Sequence, residues 1–213
     1  RPPQHDRKLA QNENVVHVAY MTSGNIAVFD HDVRRHLDFL ARLSHEWRLA
    51  EPVVREILTT VEGHLLRKLP GEIDIPEVLD LKRLIRESEA VSGLGVLGVP
   101  ASQARFLNLP FYQTGRVRKD PVGPADVAIV RELLEELAPD LVLVAGDLSD
   151  PHGTHRMCKE VIEQALAERL AASPSASRPE VWLYRGAWQE WPVTEATWLV
   201  PLSQEELRLK IQA

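Results

Sequence analysis

Five consecutive apolar residues, Leu141-Val142-Leu143-Val144-Ala145, run straight into the polar stretch Gly146-Asp147-Leu148-Ser149-Asp150-Pro151-His152-Gly153-Thr154-His155. A short, unbroken, β-branched run suits a strand buried on both faces, the arrangement of a parallel sheet between helices. A helical pattern begins by Arg156, so the polar stretch occupies the carboxyl end of the strand, where open α/β sheets gather their ligands. His152 and His155 stand three apart, which puts both rings on one side of an incipient helical turn. Neutral imidazoles beside Asp147 and Asp150 suit a zinc or iron site, or a general acid–base pair. An Asp/His-rich helix cap accounts for the same residues without any chemistry.

The rest of the chain alternates strands and helices. Strands are predicted at Val15–Met21, Arg105–Leu109, Leu141–Ala145, Val181–Tyr184 and Thr197–Val200. Apolar spacing predicts helices at Asp30–Trp47, Pro52–Leu69, Pro76–Gly93, Ala125–Leu137 and about Arg156–Ala172. Leu79, Leu84, Ile85 and Val91 are expected on the inner face of the third of these. The predicted class is α/β: a Rossmann-like, mostly parallel sheet with helices on both faces and a helical insertion at about 30–93. The Pro/Ser/Ala-rich stretch Ser173–Pro179 is too short to divide domains, so residues 1–213 form one domain. The stretch before Val15 reads as the tail of a helix, and the strand expected ahead of it is not among these residues.

Net charge narrows the partners. At −6, with only the cluster Arg116, Arg118 and Lys119 as a local basic patch, the chain is not a nucleic-acid platform. No apolar run reaches membrane-spanning length. A lone cysteine, Cys158, excludes an intrachain disulfide and fits a reducing compartment, so the cytoplasm is expected.

Five segments, in order, resemble the LmbE/PIG-L group of zinc-dependent N-deacetylases. They are residues 17–25 (His-Val-Ala-Tyr-Met-Thr-Ser-Gly-Asn), 86–90 (Arg-Glu-Ser-Glu-Ala), 106–112 (Phe-Leu-Asn-Leu-Pro-Phe-Tyr), 146–155 and 182–188 (Trp-Leu-Tyr-Arg-Gly-Ala-Trp). The nearest likeness is to the deacetylase-like module of bacterial glucosamine-6-phosphate deaminase homologues. The resemblance implies removal of an N-acetyl group from an amino sugar of the N-acetylglucosamine type. It implies His155 as a zinc ligand, His152 as the partner of the developing oxyanion, and Arg86 as a contact to sugar hydroxyls. The group's His-Pro-Asp-Asp loop, which supplies the other zinc ligands and the general base, is absent from these residues. Its Pro-Asp between the two histidines is Gly153-Thr154 here, so Asp150 or Asp147 is expected to orient His152. His5-Asp6 would serve as a degenerate metal pair only with a strand before it.

Two explanations remain open: the metal loop lies in a longer parent protein, or the module has lost it and serves sugar binding or assembly. Among the remaining candidates, Thr22, Ser23 and Asn25 close a strand where ligand contacts gather, or simply form a turn. Arg86 and Glu89 form either a substrate contact or a surface ion pair one turn apart. Trp182, Trp188, Trp191 and Trp198 stack on sugar rings, with Arg185 reaching hydroxyls or a phosphate, or they pack between strands and a neighbouring domain. The basic cluster binds a sugar phosphate or forms a solvated loop. His17 reads as a satisfied core or face histidine, and Cys158 as inert. The expected ligand is an amino sugar or sugar phosphate, and the expected protein partner a second copy or a fused sugar-isomerase domain.

Overall fold

The structure is a computed structural model that describes residues 14–49, 51–146, 149–174, 177–185 and 190–213. His5, Asp6, Asp147 and Trp188 lie outside the described residues. Strand β1 (Val18–Tyr20) pairs in parallel with β2 (Ala104–Phe106), Val18 opposite Ala104. Strand β3 (Leu141–Ala145) pairs in parallel with β4 (Glu180–Tyr184), Leu141 opposite Glu180. The chain is therefore α/β with parallel pairing throughout the described strands. The pairing forms two separate two-stranded ladders, where one continuous sheet was expected.

Both strands of the first ladder are shorter than predicted, for local reasons. Val15 is 74% exposed, so it has nothing to pack against. Asn108 takes a left-handed backbone, φ 47°, which ends β2, while the N–H groups of Leu107 and Leu109 still donate to the carbonyls of Tyr20 and Met21. The predicted strand Thr197–Val200 is not one. Trp198 meets Trp182 ring to ring at 5.3 Å, and with Leu199 it is largely exposed. The segment is held through a side chain, not through backbone pairing.

Between β1 and β2 the chain is helical: α1 (Asp30–Trp47), α2 (Glu51–Arg67) and α3 (Pro76–Leu97). Asp30 and Asp32 occupy the first turn of α1, where the helix dipole favours anions. Pro76 opens α3 and Gly98, left-handed at φ 77°, closes it. Val33, Leu37, Val61, Leu65, Val78 and Ile85 are the buried centre of this three-helix unit. Leu84, expected inward, is 49% exposed. Lys82 is turned inward instead, its Nζ 2.7 Å from both Asp30 Oδ1 and Asp74 Oδ2. Lys68 completes the network at 2.7 Å from Asp74 and 3.1 Å from Asp30, and His64 Nε2 lies 3.2 Å from Asp74 Oδ1. Nothing in the spacing of these five residues announces that they meet.

The second half packs around β3. Helices α4 (Pro124–Leu137) and α5 (Thr154–Ala172) bury Val127, Val130, Leu134, Val161 and Ala165 against Leu109, Phe111 and Tyr112 of a 3-10 turn. Buried Asp126 pins that turn to α4: its Oδ1 accepts the Phe111 N–H at 2.9 Å and its Oδ2 the Gly123 N–H at 2.8 Å. The end of α3 lays Leu94 and Leu97 on Val18, Tyr20 and Ala104 of the first ladder. A last helix, α6 (Gln204–Gln212), is opened by Ser203 in a capping box with Glu206. No helix among the described residues is long and apolar enough to cross a membrane.

Candidate active site

The carboxyl ends of β1 and β3 converge on one cavity. After β1 the chain turns at Gly24, φ +64°, and a Cβ there would lie 3.3 Å from Arg86 Nε. Glycine both permits the left-handed turn and lets the arginine stem lie on it. Ser23 and Asn25 flank that glycine, both 4% exposed, and Ser23 Oγ and Asn25 Oδ1 have no hydrogen-bond partner among the described residues. Buried polar atoms are nearly always satisfied, so two orphans on one turn make it a candidate binding place.

After β3, Gly146 N–H donates to the Tyr184 carbonyl at 2.7 Å, which carries the ladder one residue further. Arg185 Nε donates to the Gly146 carbonyl at 3.2 Å, and its guanidinium lies 3.7 Å from the centre of the Trp191 ring. Arg185 thus braces the ends of β3 and β4. Asp150 is buried, and its Oδ2 accepts the His155 N–H at 3.3 Å at the start of α5. This contact reaches the helix from outside the N-cap position, which Gly153 holds without a side-chain bond. It leaves Asp150 Oδ1 and His155 Nδ1 buried without a partner among the described residues.

Of the residues singled out from sequence, Thr22, Ser23, Arg86, His155 and Arg185 line the same cavity. Asn25 and Asp150 are buried but do not line it, and His152 is exposed on the turn before α5. Arg86 is ion-paired with Glu89 and stays 47% exposed, which is compatible with either of its expected roles. His17 also borders the cavity, and its Nδ1 is buried with no partner among the described residues, unlike the satisfied histidine expected there.

Two further residues reach this region: Tyr112, which sequence reasoning left without a role, and Lys119 of the basic cluster. Tyr112 is buried, and Lys119 Nζ stands 5.4 Å over its ring. Burial holds the Tyr112 hydroxyl above its ordinary pKa, with Arg86 opposing the shift. Burial pulls the Lys119 ammonium below its ordinary value, and Asp150 works against it. Lys119 is therefore half-buried beside the site, while Arg116 and Arg118 of the same cluster are exposed. The one available signal was that Tyr112 closes a matching segment. Cys158, behind the site, has its thiol pushed up to about 12 by burial and by the carboxylates of Asp150 and Asp126.

A catalytic zinc needs three protein ligands and an open position. Among the described residues no three His, Cys, Asp or Glu side chains converge in that way. The described residues hold no complete donor set for a metal.

Comparison with known proteins fits the polar ends of β1 and β3 into a wider pattern. Residues 6–166 match the PIG-L family, described as GlcNAc-PI de-N-acetylase. The chain belongs to the PIG-L family. A protein of Bacteroides thetaiotaomicron, named as glucosamine-6-phosphate deaminase-like, is 41% identical over 206 residues, which cover 96% of this chain and 31% of that relative. The chain thus spans about a third of the length of the relative it matches. No solved structure matches it. The family match takes in the turn at Ser23–Asn25, Arg86, Tyr112, Lys119, Asp150, His152 and His155, and ends before Arg185 and the tryptophans.

Proposed function

We propose that this chain is the substrate-side part of an N-deacetylase that removes an acetyl group from an N-acetylated amino sugar. The observation that carries the reading is a set of buried polar atoms at two strand ends, on Ser23, Asn25, Asp150 and His155, that have no partner among the described residues and lie inside the region matched to a de-N-acetylase family. Amide hydrolysis needs a polarised carbonyl, a deprotonated water and a proton for the departing amine. In this reading His155 faces the reacting amide, Asp150 holds the His155 N–H from behind, and His152 donates to the oxyanion. Arg86 and the Ser23–Asn25 turn hold sugar hydroxyls, with Lys119 and Arg185 at the rim for a phosphate. The family resemblance suggests His155 as a zinc ligand. The remaining ligands would have to come from outside the described residues, so no step is routed through a metal.

A second reading rests on the incomplete donor set: a non-catalytic module that binds a sugar or mediates assembly within a glucosamine-6-phosphate deaminase-like protein. Acetate release from N-acetylglucosamine and from its 6-phosphate, assayed with zinc content on the intact protein carrying this chain, separates the two. Deacetylation that falls at least about a hundredfold in His155→Ala, with loss of zinc, is expected of the enzyme. Sugar binding without metal and without acetate release would replace it with the module.

A further inference from the structure

Four lysines among the described residues are at least partly withdrawn from water: Lys68, Lys82, Lys119 and Lys159. Lys68 and Lys82 each hold two aspartates, and Lys159 holds Glu163 one turn along its helix. Lys119 is the exception. Its Nζ stands over the Tyr112 ring, 5.4 Å from the centroid, and makes no ion pair among the described residues. A lysine that only drapes its stem over an aromatic keeps its charge in water, but here burial outweighs the pull of Asp150 on the ammonium. Lysine is rarely buried unpaired, so the place calls for a negative group that the described residues do not supply.

The ammonium is also held in position. The Tyr112 N–H donates to the Leu109 carbonyl at 3.1 Å, its carbonyl accepts the Thr114 N–H at 2.8 Å, and Phe111 packs edge-on against its ring. Thr114 Oγ1 accepts the Arg116 N–H at 3.1 Å and donates to the Arg118 carbonyl at 3.0 Å. Gly115 at the tip is left-handed, φ +65°, and a Cβ there would come within 2.7 Å of Ile73 Cγ2. The Asp120 N–H closes the loop on the Phe111 carbonyl at 3.0 Å. A loop fixed at its ends and its tip has already lost the freedom that ligand binding would otherwise cost.

Charge and placement give the chemistry of the ligand. Asp150 acts on Lys119 and Arg86 on the Tyr112 hydroxyl, so the pair stands beside both halves of the site. Arg116 and Arg118 are exposed on the same loop and make a local positive field in a chain of net charge −6. Attraction to such a field grows with the charge on the ligand. A phosphomonoester, about −2 at pH 7, is therefore favoured over a singly charged carboxylate.

We infer that Lys119, held against the face of Tyr112, is the group that selects a phosphorylated amino sugar over a neutral one. This rests on the deacetylase reading and narrows its substrate to a sugar phosphate. Lys119 binds the phosphoryl oxygens, and Tyr112 is a positioning residue that acts through its ring and not its hydroxyl. Arg116 and Arg118 supply only diffuse attraction.

The test is acylation of Lys119 by an N-hydroxysuccinimide ester, read by peptide mass spectrometry in the intact protein carrying this chain. N-acetylglucosamine 6-phosphate should slow that labelling about tenfold at ten times its Kd, because only unoccupied protein reacts. N-acetylglucosamine and inorganic phosphate at the same concentration should leave it within about twofold. Tyr112→Phe keeps the protection, since the ring face remains, and Tyr112→Leu loses it. In acetate release, Lys119→Met should lower the kcat/KM ratio of phosphorylated to neutral sugar at least about tenfold, through KM. Arg116→Gln with Arg118→Gln should keep that ratio within about threefold. Equal labelling with and without the sugar phosphate overturns the inference, as does equal protection by inorganic phosphate, which would make a free anion the ligand. Protection without acetate release removes the deacetylase reading and leaves the phosphate subsite standing; acetate release without protection does the reverse.

Discussion

Asp150 divides its two oxygens: one accepts the His155 N–H at the start of α5 and the other is buried without a partner among the described residues. Asp150→Ala should cost about 1 kcal/mol through the lost hydrogen bond to that N–H, seen as a lower urea midpoint. The Cys158 thiol, at about 12 against an ordinary 9.0, should react with iodoacetamide at pH 8 about a thousandfold more slowly in the folded chain than in urea, as its thiolate fraction requires. Labelling at equal rates would show the thiol open to solvent. Asp74 holds both Lys68 and Lys82. Asp74→Asn should destabilise by roughly 1–3 kcal/mol, because it removes a charged acceptor from both lysines and leaves Asp30 alone to hold them. None of these pairings has a signature in residue spacing. Lys82 sits where a helical pattern would put an apolar residue, and only the folded chain brings Asp30 and Asp74 to it.

Among the elements, the helices were legible and the strands less so. Helices α1 to α5 fall within a few residues of their apolar periodicity, because each buries one stripe and is closed by its own proline, glycine or left-handed cap. Strands depend on a neighbour. Thr197–Val200 has strand-like residues but no backbone partner, and β2 stops at Asn108 for a backbone reason that composition does not display. The tether between Asp126 and the 3-10 turn was equally invisible, since its partners are main-chain N–H groups. Asp126→Ala should cost about 2–3 kcal/mol by leaving the buried Phe111 N–H unpaired. Loss of amide protection at Phe111 in hydrogen exchange would be the specific sign.

For the molecule as a whole, the Asp30–Lys68–Asp74–Lys82 network sets the pH range of stability. Burial alone would raise the Asp74 and Asp30 carboxyls, but hydrogen bonds and charge from Lys68 and Lys82 outweigh it and hold both below 3.8. That contribution is fully present above pH 3.8 and is lost as the pH falls through the depressed values. Burial opposes the Lys68 charge too, yet its bonds to Asp74 and Asp30 hold it above 10.5. Its contribution is present below that pH and is lost as the pH rises through the elevated value. Urea midpoints should therefore be flat between about pH 5 and 9 as far as this network is concerned, falling at both ends. Asp74→Asn should flatten both limbs.

The sequence by itself determined the α/β class, the positions of the helices and the polar strand ends, because periodicity, caps and strand-to-helix junctions are local properties of a few neighbouring residues. The LmbE/PIG-L resemblance was legible for the same reason, in short segments kept in order. Tertiary structure alone decided which side chains meet: Lys82 with two aspartates, Lys119 over Tyr112, Arg86 against Gly24. It also decided that the parallel strands stand as two ladders with a cavity between them. Strand pairing and buried charge are contacts between distant parts of the chain, and their free energy exists only once both sides are in place.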